Sequence, residues 1–208
     1  MLLGAWTAVD QCRTILDIGT GTGLIAIMLA QRSEAEITAI DIDADAVSQA
    51  RENMARCPWT ERLTVQQQDL ATFEPGMRYE VIVSNPPYFV DSLKCPDAQR
   101  TTARHTDELT LDTLFSCASK LLEEEGRFSL ILPAEQLPDC VETAQKLGLY
   151  LSRHTAVITR PGLAPKRALM EFRKGEGPTQ TEELVVELER HVYSEAYTAL
   201  TKEFYLKM

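Results

Sequence analysis

The sequence predicts an α/β fold, a mostly parallel sheet of seven strands with helices on both faces. Three observations carry this reading. Short runs rich in β-branched and apolar residues alternate with longer segments of helical period. A glycine turn follows the first of those runs at once. Acidic residues then recur at the ends of successive strands, the edge where ligands of such sheets collect. With 208 residues, 44% of them hydrophobic and 25% charged, the chain suits one globular domain over 1–208, with 174–208 packed on it as a C-terminal extension.

Taken in order, Thr14-Ile15-Leu16-Asp17-Ile18 reads as a buried strand and Leu24 to Gln31 as the helix after a glycine turn. Glu36 to Ile42 is a second strand. A helix from about Asp43 to Arg56 has acids in its first turn and stops before Pro58. Leu63 to Gln68 and Tyr79 to Ser84 are the third and fourth strands, the latter halted by two prolines that cannot continue a central strand. Asp107 to Glu123 has a broad apolar face, with Gly126 expected just past its end. Arg127 to Leu132 is the fifth strand, and Glu135 to Leu147 a helix closed by Gly148. Tyr150 to Thr159 and Arg167 to Arg173 are two strands joined by a Pro/Gly loop. Tyr193 to Phe204 reads as an amphipathic terminal helix.

Composition narrows the classes. The longest apolar run, Leu24 to Ala30, is far too short for a bilayer span, and Met1 to Trp6 lacks the charged head of a signal peptide, so a cytoplasmic location is expected. Five cysteines, Cys12, Cys57, Cys95, Cys117 and Cys140, show no CxxC spacing and are expected to be reduced fillers; His105, His154 and His191 are far apart, and no metal is expected. The net charge of −10 opposes a nucleic-acid partner at first sight. Its distribution changes that, because 1–150 hold 12 basic and 23 acidic residues while 151–208 hold 9 and 8. Between Arg153 and Arg173 lie Arg160, Lys166 and Arg167, with Glu171 the single acid. A solvated basic face is the alternative.

In Asp17-Ile18-Gly19-Thr20-Gly21-Thr22-Gly23 the glycines permit a tight turn and close approach of a ligand. The spacing is GxGxG rather than the dinucleotide GxGxxG, and Asp17 is an awkward anion beside a pyrophosphate. S-adenosylmethionine, which has a sulfonium and an ammonium and no phosphate, suits that carboxylate. Asp41, ending the second strand, can accept hydrogen bonds from both ribose hydroxyls. Asp43 is expected to cap the following helix. Asp69, ending the third strand, can hold the adenine amino group; a solvated strand-end acid is the alternative. This succession resembles the class I S-adenosylmethionine methyltransferases, which implies a Rossmann-like sheet with an antiparallel final strand and cofactor contacts at Asp17, Gly19, Gly21, Gly23, Asp41, Asp69 and Asn85.

After the fourth strand comes Asn85-Pro86-Pro87-Tyr88. An exocyclic or amide nitrogen is a weak nucleophile because its lone pair is delocalised. The Asn85 side-chain oxygen and the Pro86 carbonyl, gripping both N–H protons, would pull that nitrogen toward pyramidal geometry. The prolines fix the backbone and withhold donors. Tyr88 can stack on the planar group. The tetrapeptide resembles the signature shared by N6-adenine methyltransferases of nucleic acids and glutamine N5-methyltransferases of release factors, and does not choose between them.

Met1-Leu2-Leu3-Gly4-Ala5-Trp6, Gln99-Arg100-Thr101-Thr102-Ala103-Arg104 and Tyr193-Ser194-Glu195-Ala196-Tyr197-Thr198-Ala199-Leu200-Thr201 through Phe204-Tyr205 resemble the bacterial tRNA1(Val) adenine-N6 methyltransferases. That resemblance implies methylation of the adenosine immediately 3′ of the anticodon, position 37; a monomer is expected. A tRNA substrate also gives the basic residues a place: if Tyr150 to Thr159 runs parallel to the other strands, Arg160, Lys166 and Arg167 reach the active-site edge, with Arg100 and Arg104 expected on the same rim, against phosphates of the anticodon arm. Release-factor glutamine methylation and a catalytically silent cofactor- or RNA-binding module are the rival readings. Members of that family usually begin a few tens of residues earlier, with a segment passing through Lys-Thr-Asp-Gly into Leu-Leu-Gly-Ala-Trp. A shortened reading frame with an intact sheet and weakened cofactor and RNA binding is therefore expected.

Overall fold

The computed structural model describes residues 1–87 and 109–205. An eight-stranded sheet carries the fold: β1 (Thr14–Ile18), β2 (Glu36–Asp41), β3 (Leu63–Gln67), β4 (Tyr79–Ser84), β5 (Leu122–Pro133), β6 (Leu149–Ile158), β7 (Arg167–Lys174) and β8 (Gln180–Val185). Their spatial order is β3-β2-β1-β4-β5-β7-β6-β8. All neighbours run parallel except β7, which lies antiparallel between β5 and β6. The α/β, mostly parallel architecture is therefore as expected, with one strand more than the seven foreseen. The extra strand, β8, is polar and exposed except at Leu184 and Val185, so no apolar alternation announces it. Glu182 and Glu183 along this edge discourage pairing with another chain.

Helices α1 (Leu2–Trp6), α2 (Leu24–Arg32), α3 (Ala44–Ala55) and α6 (Glu195–Thr201) accompany α4 (Leu111–Leu121) and α5 (Leu137–Lys146) around the sheet. On one face, Phe115 of α4 meets Phe128 and Phe172 of the sheet edge-on at 5.3 and 5.1 Å. On the other, Leu3 and Trp6 of α1 and Leu29 of α2 pack over Ile15, Val81 and Val83. Central strands buried on both faces explain why β1 and β4 show consecutive apolar residues, Ile15-Leu16 and Val81-Ile82-Val83, rather than strict alternation.

Two expectations are corrected. Gly126 is not a helix cap: α4 ends at Leu121, Leu122 is already extended, and Gly126 lies inside β5, where an added Cβ would stand 2.8 Å from Leu122 Cδ1. Close packing, rather than a left-handed turn, calls for glycine there. The terminal segment is not one helix from Tyr193; a hairpin of β9 (Glu187–Glu189) and β10 (Val192–Tyr193) precedes α6, which Ser194 caps by accepting the Tyr197 N–H. Gly148 does close α5, with φ +73 and its N–H donated to Gln145 O. Cys12, Cys57, Cys117 and Cys140 are free thiols, and burial pushes Cys140 up to about 12; Cys95 lies outside the described residues.

Candidate active site at the strand ends

The carboxyl ends of β1 to β4 meet at one edge, and each sequence-predicted cofactor residue stands there. Gly19, Gly21 and Gly23 all have positive φ, +68, +56 and +81. A Cβ at Gly19 or Gly21 would meet nothing within 4 Å, so the loop's outer side is open, whereas one at Gly23 would approach Met54 and Ala50 of α3. The glycines thus shape a bare cradle on one side and allow close packing on the other. Gly19 N and Thr20 N donate to Ile40 O at 2.9 and 3.0 Å. Asn53 of α3 holds the Thr22 carbonyl at 2.9 Å.

Asp17 sits beneath this loop, 1% exposed. Its Oδ2 accepts the Thr20 hydroxyl at 2.6 Å, while Oδ1 is buried with no hydrogen-bond partner. Burial raises its carboxyl to about 6, against the lowering effect of Thr20 and the Ala26 N–H. The carboxylate thus has a donor on Oδ2 and no hydrogen-bond partner at Oδ1.

Asp41 Oδ2 accepts Gly21 N at 2.8 Å and Oδ1 accepts Asp43 N at 3.0 Å. Each oxygen keeps a lone pair for a diol. Asp43 caps α3 as expected, its Oδ1 accepting from Asp45 N at 2.8 Å. Asp69 is exposed at the end of β3 and accepts Ala71 N at 2.9 Å. Asn85 is exposed, Pro86 buried and Pro87 exposed directly after β4. Tyr88, Arg100 and Arg104 lie outside the described residues.

Because β6 is parallel to β1–β5 in sense and β7 antiparallel, the loop between them reaches this same edge. Arg167 pairs with Pro133 at the end of β5, and Ala134 N donates to Lys166 O at 3.2 Å. Two interstrand spacings, about 10 Å, separate β7 from β4. Arg160, one strand further, is tied to Glu187 at 3.5 Å, so part of its charge is already neutralised. A cavity of about 640 Å³ around Arg153, Glu171 and Arg173 is at the opposite edge and shares no residue with this constellation.

Residues 2–138 match the Methyltransferase small domain family. A tRNA1(Val) (adenine(37)-N6)-methyltransferase of Phocaeicola vulgatus is 54% identical over all of this chain and 89% of its own length. Proteins of the same name from Bacteroides fragilis and Tolumonas auensis are 48% and 43% identical, covering all of this chain and 89% and 88% of theirs. The chain belongs to the tRNA1(Val) (adenine(37)-N6)-methyltransferase family. Its fold also matches a predicted O-methyltransferase of Agrobacterium tumefaciens, with TM-score 0.75 and 21% identity over 97% of this chain and 94% of that one. The glycopeptide N-methyltransferase MtfA in complex with S-adenosylmethionine matches with TM-score 0.59 and 16% identity over 84% and 94%.

The cofactor of this family member is S-adenosylmethionine, and the residues present fit it. Unpartnered Asp17 Oδ1 lacks the positive group that an ammonium supplies, directly or through water. The open cradle at Gly19 and Gly21 leaves room for the ligand chain, and the Asp41 carboxylate keeps lone pairs that a diol can use. Ile42, 51% exposed immediately after Asp41, offers an apolar surface for a flat ring. Sequence reasoning passed over Ile42, Thr20, Asn53 and Ser84. A large apolar residue next to a strand-end acid was a usable signal for the first, and the three-residue spacing from Asp17 for Thr20; Asn53 and Ser84 act through contacts 31 and 66 residues away that no local pattern displays. Among the described residues no group of three or more His, Cys, Asp or Glu could hold a metal ion, and no helix is long and apolar enough to cross a membrane.

Proposed function

We propose that this chain, as one methyltransferase domain in the cytoplasm, transfers the methyl group of S-adenosylmethionine to N6 of adenosine 37 in tRNA1(Val). The observation that carries the chemistry is Asn85, exposed at the end of β4 beside the glycine cradle and followed by two residues without an N–H. When bound, S-adenosylmethionine supplies an electrophilic methyl on a sulfonium. Asp17 balances charge under the loop, and Gly19, Gly21 and Gly23 give close access. Asp41 takes the ribose hydroxyls, Asp69 the adenine amino group, and Ile42 the face of the ring.

Adenosine 37 leaves its stack and enters beside β4. Asn85 Oδ1 and the Pro86 carbonyl accept the two N6 protons and orient the lone pair along the line of transfer, with Tyr88 stacking on the base. No side chain has to remove a proton first, because the alkylated nitrogen loses it readily. The ends of β5 and β7 hold Lys166 and Arg167 about 10 Å from β4, close enough for phosphates flanking the target. Arg160 extends this basic rim, and Arg100 and Arg104 are assigned to the same phosphates from their place in the sequence alone.

The experiment is methylation of tRNA1(Val) by the purified chain, with the product base identified and located. N6-methyladenosine at position 37, lost when that position is guanosine, is expected. Methyl transfer to a release-factor glutamine in place of RNA overturns the reading.

A further inference from the structure

We infer that Ser84 is a positioning residue for methyl transfer, fixing Asn85 relative to the cofactor loop; its assay rests on the function proposed above. Ser84 is 0% exposed, the last residue of a strand whose preceding three side chains, Val81, Ile82 and Val83, are all buried and apolar. A hydroxyl in such a place costs stability unless bonded, and an alanine would avoid the cost. Its bond is specific: Oγ donates to the Ile18 carbonyl at 2.9 Å, across 66 residues of sequence. Ile18 is the last residue of β1 and pairs with Ser84 in register.

On the far side of Ile18 the chain becomes the glycine loop. Gly19 N and Thr20 N are anchored on Ile40 O, and Gly21 N on Asp41 Oδ2. On the far side of Ser84 comes Asn85, after which Pro86 and Pro87 have no N–H to extend the ladder toward β1. The Ser84 hydroxyl is therefore the last described bond joining the segment that holds the acceptor nitrogen to the segment that holds the methyl donor. In-line transfer is sensitive to that separation, a misplacement of about 1 Å costing on the order of a hundredfold in rate.

Ser84→Ala is expected to lower the single-turnover rate at saturating RNA and cofactor by about ten- to a hundredfold. Cofactor affinity and the KM for RNA should stay within about threefold, and Ser84→Thr, which restores the donor, should recover most of the rate. Amide hydrogen exchange should quicken in peptides spanning 18–23 and 84–85 of the alanine variant and stay unchanged in α5. A wild-type rate in Ser84→Ala, equal losses of rate and cofactor affinity, or unchanged exchange at both strand ends overturns the role. Wild type runs alongside. If it forms no N6-methyladenosine, the substrate reading fails, while the exchange comparison still judges Ser84.

Discussion

At the ends of β1 to β3 the acids are embedded in hydrogen bonds to backbone and hydroxyl donors: Asp17 to Thr20, Asp41 to Gly21 and Asp43, Asp69 to Ala71. At the ends of β5 to β7 the functional candidates are long basic side chains on a loop, Arg160 and Lys166 exposed and Arg167 half-buried. The first half is fixed before any ligand arrives, so its residues act through short, directional bonds in partly dry surroundings. The second half works through charge in water, where salt screens it within about 10 Å. Substitutions should therefore be sharp and individual on the first side, graded and collective on the second.

The largest effect belongs where the halves meet. Asn85→Ala should reduce turnover by about a hundred- to a thousandfold or more, the scale seen when one aligned hydrogen-bonding group is removed from a transition state. Cofactor affinity, measured by calorimetry, should stay within about threefold. Comparable losses of both would move Asn85 into the cofactor half.

Asp17→Asn should reverse sign between stability and function. The folded carboxyl is raised from 3.8 to about 6 by burial, which corresponds to on the order of 3 kcal/mol against the ionised form. A raised carboxyl weakens the fold only when ionised: the penalty is absent below about pH 4, grows as pH rises, and is complete above about 6. The asparagine variant without cofactor should thus melt several degrees higher than wild type at pH 7.5 and equally at pH 4, while binding S-adenosylmethionine at least about tenfold more weakly, one missing charge partner being worth 1.4 kcal/mol or more. A variant no more stable at pH 7.5 would mean that Asp17 has a buried partner already.

For the basic side, replacing Arg160, Lys166 and Arg167 together by Ala should flatten the dependence of log affinity on log salt by about 1 to 2, since each phosphate neutralised contributes about 0.7 on single strands. Arg160 should contribute less than Lys166, because Glu187 is 3.5 Å from Arg160. An unchanged slope would return all three to the solvated surface.

The same contrast explains what could be read in the sequence. Asp17, the glycines, Asp41 and the prolines were legible because strand ends and turns impose local residue patterns. The position of the 160–167 loop followed only if the strand before it ran parallel, which no residue of the loop states; the pairing of β6 with β7 and β8 settles its direction. β8 was invisible because an edge strand facing water needs no apolar alternation. Asn53 and Ser84 are short polar residues whose partners are brought near by the fold, and composition cannot distinguish them from residues facing solvent.

The smallest expected effect tests how finely the cofactor half is divided. Asp41 and Asp43 are two residues apart, Asp41 ending β2 and Asp43 preceding α3, and their bonds point different ways: Asp41 toward the glycine loop, Asp43 toward the first turn of α3. Asp43→Ala should cost about 1 kcal/mol of stability, the usual loss of an N-cap. Cofactor affinity should be unaltered, because the Asp41 carboxylate takes the Asp43 backbone N–H, which alanine keeps. Asp41→Ala should do the opposite, releasing Gly21 and weakening the cofactor far more than the fold. If Asp43→Ala lowered cofactor affinity as much as Asp41→Ala, the two carboxylates would be sharing the ribose, and the division between a binding acid and a capping acid would have to be abandoned.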